Sequence, residues 1–509
     1  MATKKTYQDA ITALNSLQSN YANIMAIRAT GNRKNMMNIW EMQEWSRRIG
    51  YLVSDFNQLS IIHITGTKGK GSTAAFTHSI LQKYKETFPH NTSISKIGLY
   101  TSPHLKSVRE RIRIDGVPIS EELFTKYFFE VWNKLDASSS DLEKFPHMVK
   151  GAMPGYFKYL TLLSFHVFMK EGCNTCIYEV GVGGEYDSTN IIEKPTVCGV
   201  SLLGIDHTFM LGDTIEEIAW NKAGIFKKNS PAFTIEGQPK AGLKVLKERS
   251  IEKDTSLTIV PNLPVLNKIR LGIAGDFQIM NASLAVALAL THLAKINDPN
   301  AATELPISTT DWKNYQIPQT VLNALEKTTW PGRCQIIKDS SNDNMIWYLD
   351  GAHTKDSVEA SSHWFAQEMI DPSNNQIKKS YKILLFNQQS RDANALIKNL
   401  YDVVYPADVK FDKVIFTTNV TWATGDYSAD LVSMNTSKEQ VDTLEVQKKL
   451  RDAWKHLDPT SEVEIVPSIE EARSIINKVA ISNKNNISIF VTGSLHLVGG
   501  LMVVFDGKK

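Results

Sequence analysis

Glycines and lysines alternate in the short stretch GTKGKGS, residues 66–72. Glycines allow backbone N–H groups to approach an anion closely, and the start of a helix adds the positive end of its dipole. Lys70 could then reach the terminal phosphates of a nucleotide, and the hydroxyl group of Ser72 or Thr73 could face Mg²⁺. The spacing departs from the usual G-x-x-x-x-G-K-[ST] pattern, because Gly71 separates Lys70 from Ser72. We interpret the stretch as a phosphate-binding loop; the alternative is a βα turn with solvated lysines.

Other polar residues follow candidate strands, where parallel α/β sheets bind their ligands. Glu179 ends one apolar run, and its carboxylate could hold Mg²⁺ directly or through water. His207 follows the next run, and Lys222 lies near the end of a predicted helix. A packed histidine and a helix C-terminal cation are the ordinary alternatives for these two residues. Asp350 and His353 follow a later strand, where the acid could accept a bond from a ribose hydroxyl or a metal-bound water.

The segment VRERIRI, residues 108–114, places an arginine at every second position. In a strand this spacing would put Arg109, Arg111 and Arg113 on one face. Arginine pairs bidentately with carboxylates and phosphates, so the face could bind an anionic substrate. A solvated strand face is the other interpretation.

The elements that must position these residues alternate between short apolar runs and helical stretches. The strand candidates are residues 61–65, 175–181, 197–204, 347–351, 382–387, 413–418 and 487–493. Helices between most of them indicate an α/β fold, with a mostly parallel sheet covered on both faces. One helix is expected to begin just after Ser72 and Thr73. The segment ASLAVALALTHLA, residues 282–294, contains Ser, Thr and His, so it predicts a core helix rather than a membrane span.

With 509 residues, the chain is too long for one ordinary core. Pro331 and Gly332 interrupt it just before a new series of strands, so we place a domain boundary there. The prediction is an ATP-binding domain at residues 1–329 and a second domain at residues 330–509. The second domain is expected to close over the phosphate-binding loop.

Composition narrows the class of function. The chain is 42% hydrophobic and 22% charged, with a net charge of +2, which gives no reason to expect nucleic acid or a membrane surface as a partner. Four cysteines in so long a chain fit a reducing compartment. The N-terminal stretch has neither an apolar signal core nor an arginine, so we expect a cytosolic protein. A longer mitochondrial form with a transit peptide stays open.

A set of motifs in fixed order identifies a family. The motifs are ITGTKGKGS, LYTSPHL with VRERIRI, YEVGVGGEYDSTNII, LGIDHTFMLGDTIEEIAWNKAGI, the NAS of FQIMNASLA, WPGR, LDGAHT and VTGSLHLVGG. They extend from residue 61 to residue 500. In this order the chain resembles the folylpolyglutamate synthases of the Mur ligase family, in their eukaryotic form. The fold that this resemblance implies is an N-terminal P-loop ATPase-like domain with a mostly parallel sheet, plus a smaller C-terminal Rossmann-like α/β ligase domain.

The resemblance also implies a role for particular residues. The nucleotide would be held by Gly66, Thr67, Lys68, Gly69, Lys70, Gly71, Ser72, Asn281, Arg333 and Asp350. Mg²⁺ would be bound by Ser102, Glu179 and His207, with K⁺ as a further candidate cation. Lys222 would be carbamylated to make a carboxylate that supports the metal. The catalytic residues would be Lys70, His207, Lys222, Asp350 and His353.

The implied reaction is ATP-dependent amide formation on a reduced folate, with L-glutamate as the incoming amino acid and an acyl phosphate as the intermediate. We expect a monomer. Two other classes stay open: a dihydrofolate synthase or another Mur-type amino-acid ligase, and a nucleotide-binding protein without catalysis. A set of four residues argues against the last, because binding ATP alone does not require them together. They are Glu179, His207, Lys222 and Asp350.

Overall fold

The chain divides into two compact units. The computed structural model describes residues 5–18, 36–302, 304–374, 376–389, 392–425, 430, 441–483 and 485–507. The first unit comes entirely from the chain before residue 330, and most of the second unit comes from residue 330 onward. Two short segments, Leu105–Ser107 and Ile273–Phe277, belong to the second unit although they lie in the earlier part of the sequence.

The first unit is built on a mostly parallel sheet. Its strands are β1 (Ile61–Thr65), β2 (Ile97–Tyr100), β3 (Ile112–Ile114), β4 (Val117–Pro118), β5 (Thr175–Glu179), β6 (Val197–Val200), β7 (Ala232–Ile235) and β8 (Leu257–Val260). Their order across the sheet is β4-β3-β2-β5-β1-β6-β7-β8. From β2 to β8 neighbouring strands are parallel, and β3 and β4 continue the β2 edge with antiparallel pairing. The strand before the phosphate-binding loop therefore lies inside the sheet.

Helices of the first unit pack against this sheet or against one another. They are α1 (Tyr7–Ser16), α2 (Met36–Arg48), α3 (Lys70–Thr87), α4 (Glu121–Ala137), α5 (Tyr156–Glu171), α6 (Thr208–Leu211), α7 (Ile215–Lys222), α8 (Lys240–Glu252), α9 (Gln278–Lys295), α10 (Thr309–Asn314) and α11 (Gln319–Lys327). The predicted core helix is α9, whose leucines and all but the last of its alanines are buried. No helix within the described ranges is both long enough and apolar enough to cross a membrane.

The second unit has its own sheet, in the order β15-β14-β13-β16-β10-β9. Its strands are β9 (Gln335–Lys338), β10 (Met345–Leu349), β13 (Tyr381–Phe386), β14 (Lys413–Phe416), β15 (Glu462–Ile465) and β16 (Ile487–Thr492), and a separate pair is formed by β11 (Ile370–Asp371) and β12 (Gln376–Ile377). Only β9 pairs antiparallel in the six-stranded sheet. The helices are α12 (Lys355–Glu368), α13 (Ala393–Val404), α14 (Glu445–Leu457), α15 (Ile469–Ser482) and α16 (Leu495–Asp506).

The predicted α/β class is confirmed, and the predicted strands are present. Most of the predictions extended past the observed carboxyl end of the strand. The largest difference is at β6, which ends at Val200 although the apolar run continues to Gly204. The run stays apolar because Leu203 is buried beyond the strand, with 3% of its surface exposed. Within each unit, the segments that leave these strand ends carry most of the candidate site residues.

Buried histidines tie the stability of the fold to pH. The Nδ1 atom of His292 in α9 lies 2.8 Å from Thr196 Oγ1, and its Nε2 atom lies 3.3 Å from Thr175 Oγ1. Burial lowers the pKa of His292 from 6.5 to about 3. The unfolded chain therefore binds a proton that the folded chain excludes. The contribution of the neutral His292 ring to the free energy of unfolding is therefore complete above pH 6.5. It is lost progressively as the pH falls toward 3.

We predict that His292→Gln reduces this pH dependence. Between pH 7.5 and 5.5, the free energy of unfolding of the wild type should fall by about 1.4 kcal/mol more than that of the variant, because the variant lacks the titrating ring. Urea unfolding at the two pH values measures the difference. The same pH dependence in both proteins would contradict the prediction.

Candidate active site

The phosphate-binding loop leaves β1 at Thr65 and ends where α3 begins, at Lys70. Gly69, which has no side chain to cap the helix, is the N-cap residue, with φ of 85°. The N–H groups in the first turn of a helix lack carbonyl partners within that helix, so this start is suited to bind phosphate. The helix begins earlier than predicted, and Gly71 and Ser72 lie in its first turn. The left-handed conformation of Gly69 ends the loop there.

The loop is also fixed to the segment that follows β6. The backbone N–H groups of Thr67 and Lys68 donate to Leu202 O at 2.9 and 3.1 Å. Ser201 Oγ donates to Lys68 O at 2.6 Å, and Lys68 Nζ lies 3.7 Å from Asp206 Oδ2. We did not predict Ser201 as part of the site; a serine directly after a buried strand is the signal that could have indicated it. The path of the loop depends on β6 as well as on β1.

Asn281 of α9 lies against the same loop. Its side chain is buried, and its Nδ2 atom donates to Gln278 Oε1 at 2.9 Å. A Cβ atom at Gly69 would lie 2.1 Å from Asn281 Oδ1. Glycine is therefore required at this position for two reasons, the positive φ and the close approach of the amide.

Two lysines donate to one carbonyl oxygen at the start of the loop. The distance to Gly66 O is 3.0 Å from Lys70 Nζ and 2.7 Å from Lys222 Nζ. Lys222 is the last residue of α7 and is 3% exposed. Burial, together with the positive charge of Lys70, lowers the pKa of Lys222 well below that of an ordinary lysine. Two ammonium groups on one oxygen repel each other, so the charged form of Lys222 is disfavoured relative to that of an exposed lysine.

Glu179 and Ser102 meet at the ends of two neighbouring parallel strands, β5 and β2. Ser102 N donates to Glu179 Oε2 at 2.9 Å. The Glu179 carboxylate is 4% exposed. The structure brings these two predicted metal-associated residues together, because the carboxyl ends of parallel neighbours lie at the same edge of a sheet.

His207 lies in the segment after β6, which is the other neighbour of β1. It has φ of 52° and precedes α6, and its backbone N–H donates to Asp206 Oδ1 at 2.9 Å. Within the part of the chain that the structure describes, no group of three His, Cys, Asp or Glu side chains could hold a metal ion. A metal ion here would need hydroxyl, water or phosphate oxygens in addition to these side chains.

In the second unit, the WPGR and LDGAHT motifs come together at the end of β10. Asp350 Oδ2 accepts the N–H of Cys334 at 2.8 Å, and Asp350 Oδ1 accepts the N–H of Ala352 at 2.9 Å. Burial raises the pKa of Asp350, and the positive charge of Arg333 opposes that shift. The carboxylate therefore closes the turn between the two motifs.

Arg333 and His353 contact the same turn. A Cβ atom at Gly351 would lie 2.8 Å from an Nη atom of Arg333, so the guanidinium group lies against the backbone. His353 Nδ1 lies 2.8 Å from Gly351 O. The three predicted residues of the second unit thus surround one glycine, and their roles toward a nucleotide stay predictions.

The arginine run does not form the predicted strand face. Residues Val108–Arg111 are a 3₁₀ helix, and only Ile112–Ile114 is a strand. The guanidinium groups donate to separate internal acceptors: Arg109 to Ile119 O, Arg111 to His104 Nδ1, and Arg113 to Glu110 O and Gly116 O. The prediction was wrong because arginines at every second position also fit a tight helical turn that leads into a short strand, with each guanidinium group bound to a nearby acceptor.

Comparison with known proteins decides the family. The family model for the C-terminal domain of dihydrofolate synthetase matches residues 333–504. A folylpolyglutamate synthase of Saccharomyces cerevisiae (strain FostersO) is 61% identical over 505 residues, which are 99% of this chain and 87% of the relative. The chain belongs to the folylpolyglutamate synthase family. The folylpolyglutamate synthase of S. cerevisiae strain S288c has the same identity and coverage. The resemblance seen in the ordered motifs is confirmed.

Solved structures of the folylpolyglutamate synthase family share the fold. E. coli FolC in complex with DHPP and ADP has a TM-score of 0.64 at 20% identity, covering 99% of this chain and 98% of that chain. Mycobacterium tuberculosis folylpolyglutamate synthase complexed with ADP has a TM-score of 0.64 at 22% identity, covering 98% and 100%. At these identities the likeness establishes the architecture, a large mostly parallel sheet and a second sheet in one chain.

We predict that Gly69→Ala raises the apparent KM for ATP at least about tenfold, because the new methyl group must displace Asn281 or the loop. Gly237→Ala is the matched control, since Gly237 has φ of 86° and nothing within 4 Å of its added Cβ. Both variants carry the strain of a left-handed alanine, roughly 1–3 kcal/mol. Kinetics at varied ATP and thermal unfolding separate the effects. A similar rise in KM for ATP in both variants would contradict the prediction.

Proposed function

We propose that this chain catalyses the reaction of its family at the phosphate-binding loop of the first unit, with the terminal phosphates of ATP beside Lys70. The family's reaction is the ATP-dependent addition of glutamate to the γ-carboxylate of a folate. One observation supports this location for the ATP phosphates: the amines of Lys70 and Lys222 both donate to Gly66 O, close to the N-cap residue Gly69 of α3. Cationic side chains and aligned N–H donors are the groups that a triphosphate needs.

The first chemical step is phosphoryl transfer. A γ-carboxylate oxygen of the folate attacks the terminal phosphorus of ATP, the bond to ADP breaks, and an acyl phosphate forms. This step depends on positioning and charge neutralisation more than on covalent catalysis. Lys70 would supply positive charge, and the first-turn N–H groups of Gly71 and Ser72 would hold phosphate oxygens. Arg333 and Asn281 are the proposed further contacts to the nucleotide.

The second step forms the amide. The α-amine of L-glutamate attacks the acyl carbon, inorganic phosphate leaves, and the amine loses a proton. His207, Asp350 and His353 are the candidates for helping that proton to leave. In the tautomer of His353 that donates Nδ1–H to Gly351 O, the Nε2 atom carries the lone pair and can accept a proton.

The residues present fit Mg²⁺. Glu179 offers a buried carboxylate and Ser102 a hydroxyl group, and both are the hard oxygen donors that Mg²⁺ prefers. Mg²⁺ keeps several waters and shares substrate phosphates, so a closed cage of protein ligands is not needed. When bound, it would neutralise charge on the transferred phosphoryl group. His207 is the proposed third partner. K⁺ stays a prediction without assigned residues.

The environment of Lys222 also supports carbamylation. Only a neutral amine reacts with CO₂, and burial favours that form here. In the reaction the nitrogen forms a bond to the carbon of CO₂ and releases a proton, leaving a negatively charged carbamate. A carbamate near Lys70 would replace repulsion between two cations by attraction, and its oxygens could orient a ligand of Mg²⁺.

We predict that Lys222→Ala loses at least about 100-fold in kcat, with partial recovery in short carboxylic acids. In ¹³C-labelled bicarbonate, the wild type should show a carbamate signal by NMR that Lys222→Ala lacks. Lys227→Ala is the matched control, because burial also lowers the pKa of Lys227 and its Nζ donates to Asn190 O at 3.3 Å. A signal that persists in Lys222→Ala, or a bare amine in a crystal with ATP and Mg²⁺, would contradict carbamylation.

The acceptor is the other point to test, since the matching family model is named for dihydrofolate synthetase. We predict that the purified protein, with ATP, Mg²⁺ and labelled glutamate, extends tetrahydrofolate in preference to dihydropteroate. Lys70→Ala should lose at least about 100-fold in rate with either acceptor, because the phosphate charge is no longer neutralised, and it should unfold at the same temperature. Preference for dihydropteroate would indicate the synthase alternative, and inactivity with both acceptors would indicate the protein without catalysis.

A monomer in the cytosol stays our prediction for the state and location of the protein. Its substrates are small molecules: a reduced folate, L-glutamate and ATP. Sedimentation equilibrium of the purified chain tests the monomer.

A further inference from the structure

The loop of residues 181–190 contacts both the end of β1 and the helix that carries Lys222. It continues directly from β5. Thr65 Oγ1, at the end of β1, donates to Gly183 O at 2.6 Å. Glu185 N donates to Asn221 O at 2.7 Å, one residue before the end of α7. The 181–190 loop therefore connects the strand before the phosphate-binding loop with the helix that ends at Lys222.

The contact with α7 is close along the backbone. A Cβ atom at Gly184 would lie 2.6 Å from Asn221 O and 2.7 Å from Lys222 O. Asn190 Nδ2 donates to Gly224 O at 3.1 Å, just beyond the helix. Because backbone atoms of the two segments touch, a shift of the 181–190 loop must also shift the end of α7 that carries Lys222.

Asp187 closes this loop on itself. Its side chain is fully buried. Its Oδ2 atom accepts the N–H of Val182 at 3.0 Å, and its Oδ1 atom accepts the N–H and the hydroxyl group of Thr189 at 3.0 and 2.8 Å. Hydrogen bonds to a carboxylate are about twice as strong as those between neutral groups. Asp187 therefore fixes both ends of the loop at once.

A hydrogen-bonded chain continues from Asp187 into the centre of the sheet. Thr189 Oγ1 lies 2.9 Å from His63 Nε2, in the middle of β1. Because the Thr189 hydroxyl donates to the Asp187 carboxylate, it accepts from His63 Nε2–H. Burial lowers the pKa of His63 to about 3, so the ring stays neutral at physiological pH. Asp187 is thereby linked to β1 as well as to α7.

We propose that Asp187 is a positioning residue for the nucleotide: through the 181–190 loop it holds the phosphate-binding loop, Glu179 and Lys222 at fixed separations. This inference rests on the proposed function, because it takes those residues to be the nucleotide and metal site. Small displacements of positioned groups reduce catalysis strongly. In Asp187→Asn the shape is kept, but an NH₂ group replaces one acceptor and faces N–H or O–H donors in either orientation.

Asp298→Asn is a matched control for Asp187→Asn. Asp298 is also buried in the first unit, with 5% of its surface exposed. It accepts Thr92 Oγ1 at 2.6 Å, Ser93 N at 2.8 Å and Asn300 N at 2.9 Å. Both substitutions therefore remove a buried carboxylate that accepts the N–H group of the residue two positions later. Both should lower the unfolding temperature by a similar amount.

The readouts are the dissociation constant for ADP by calorimetry, and the apparent KM values for ATP and for folate. Asp187→Asn should weaken ADP binding about tenfold, or about 1.4 kcal/mol. It should raise the KM for ATP in parallel and change the KM for folate by less than about twofold. Asp298→Asn should leave all three values at wild type. Unchanged ADP affinity in Asp187→Asn, equal weakening in Asp298→Asn, or an equal rise in both KM values would overturn the proposal.

Two milder variants keep the test decisive if Asp187→Asn does not fold. Thr189→Val removes the hydroxyl bond to Asp187 and keeps the backbone N–H, and it should weaken ADP binding about threefold. Thr189→Ser restores the hydroxyl group and should bind ADP like the wild type; equal affinity in the two variants would overturn the proposal.

Lys70→Ala distinguishes failure of the phosphate-binding loop assignment from failure of the positioning role of Asp187. If it keeps wild-type ADP affinity, the assignment of the phosphate-binding loop fails. If it loses affinity while Asp187→Asn keeps it, only the positioning role fails.

Discussion

The carbonyl oxygen of Gly66 accepts from two lysine amines, and the chemistry of the first unit depends on that arrangement. Two full positive charges 4 Å apart repel by about 4 kcal/mol at the effective dielectric constant near a protein surface. Water cannot screen this repulsion around Lys222, because its side chain is buried. Burial and this repulsion both lower the pKa of Lys222, so neutralisation or modification of that amine relieves the repulsion.

Parallel pairing explains how residues far apart in sequence reach this oxygen. β1 lies between β5 and β6, with Ile64 opposite Glu179 on one side and Thr65 opposite Val200 on the other. The three strands end at nearly the same level. The segments after β5 and β6 therefore begin beside the end of β1, where the phosphate-binding loop starts, and the segment after β6 contributes Ser201 to the contacts of that loop. A parallel sheet collects polar groups at one edge in this way while its strands remain largely apolar.

The sequence predicted the elements better than the contacts between them. The strand before residue 66 and the core helix around residue 288 follow from runs of apolar residues, and Lys222 was placed correctly near a helix end. The shared acceptor at Gly66 could not be predicted, because the two lysines are separated by 152 positions, and only the tertiary fold sets their distance. The hydrogen bonds of Asp187 could not be predicted either, since an aspartate in a glycine-rich segment is also typical of an exposed turn. The arginine run was misread because local periodicity over a few residues does not separate a short strand from a 3₁₀ turn.

The membership of Leu105 in the second unit has a consequence for the order of events during protein synthesis. Leu105 is buried in that unit's core with Leu497 and Val498, and its carbonyl oxygen lies where a Cβ atom at Gly499 would clash, at 1.9 Å. This leucine leaves the ribosome almost 400 residues before the glycine that it packs against. The nascent chain must therefore hold an apolar segment without its partners until translation is almost complete. The fragment 330–509 made alone would lack that side chain, a loss comparable to a core leucine deletion of roughly 2–5 kcal/mol.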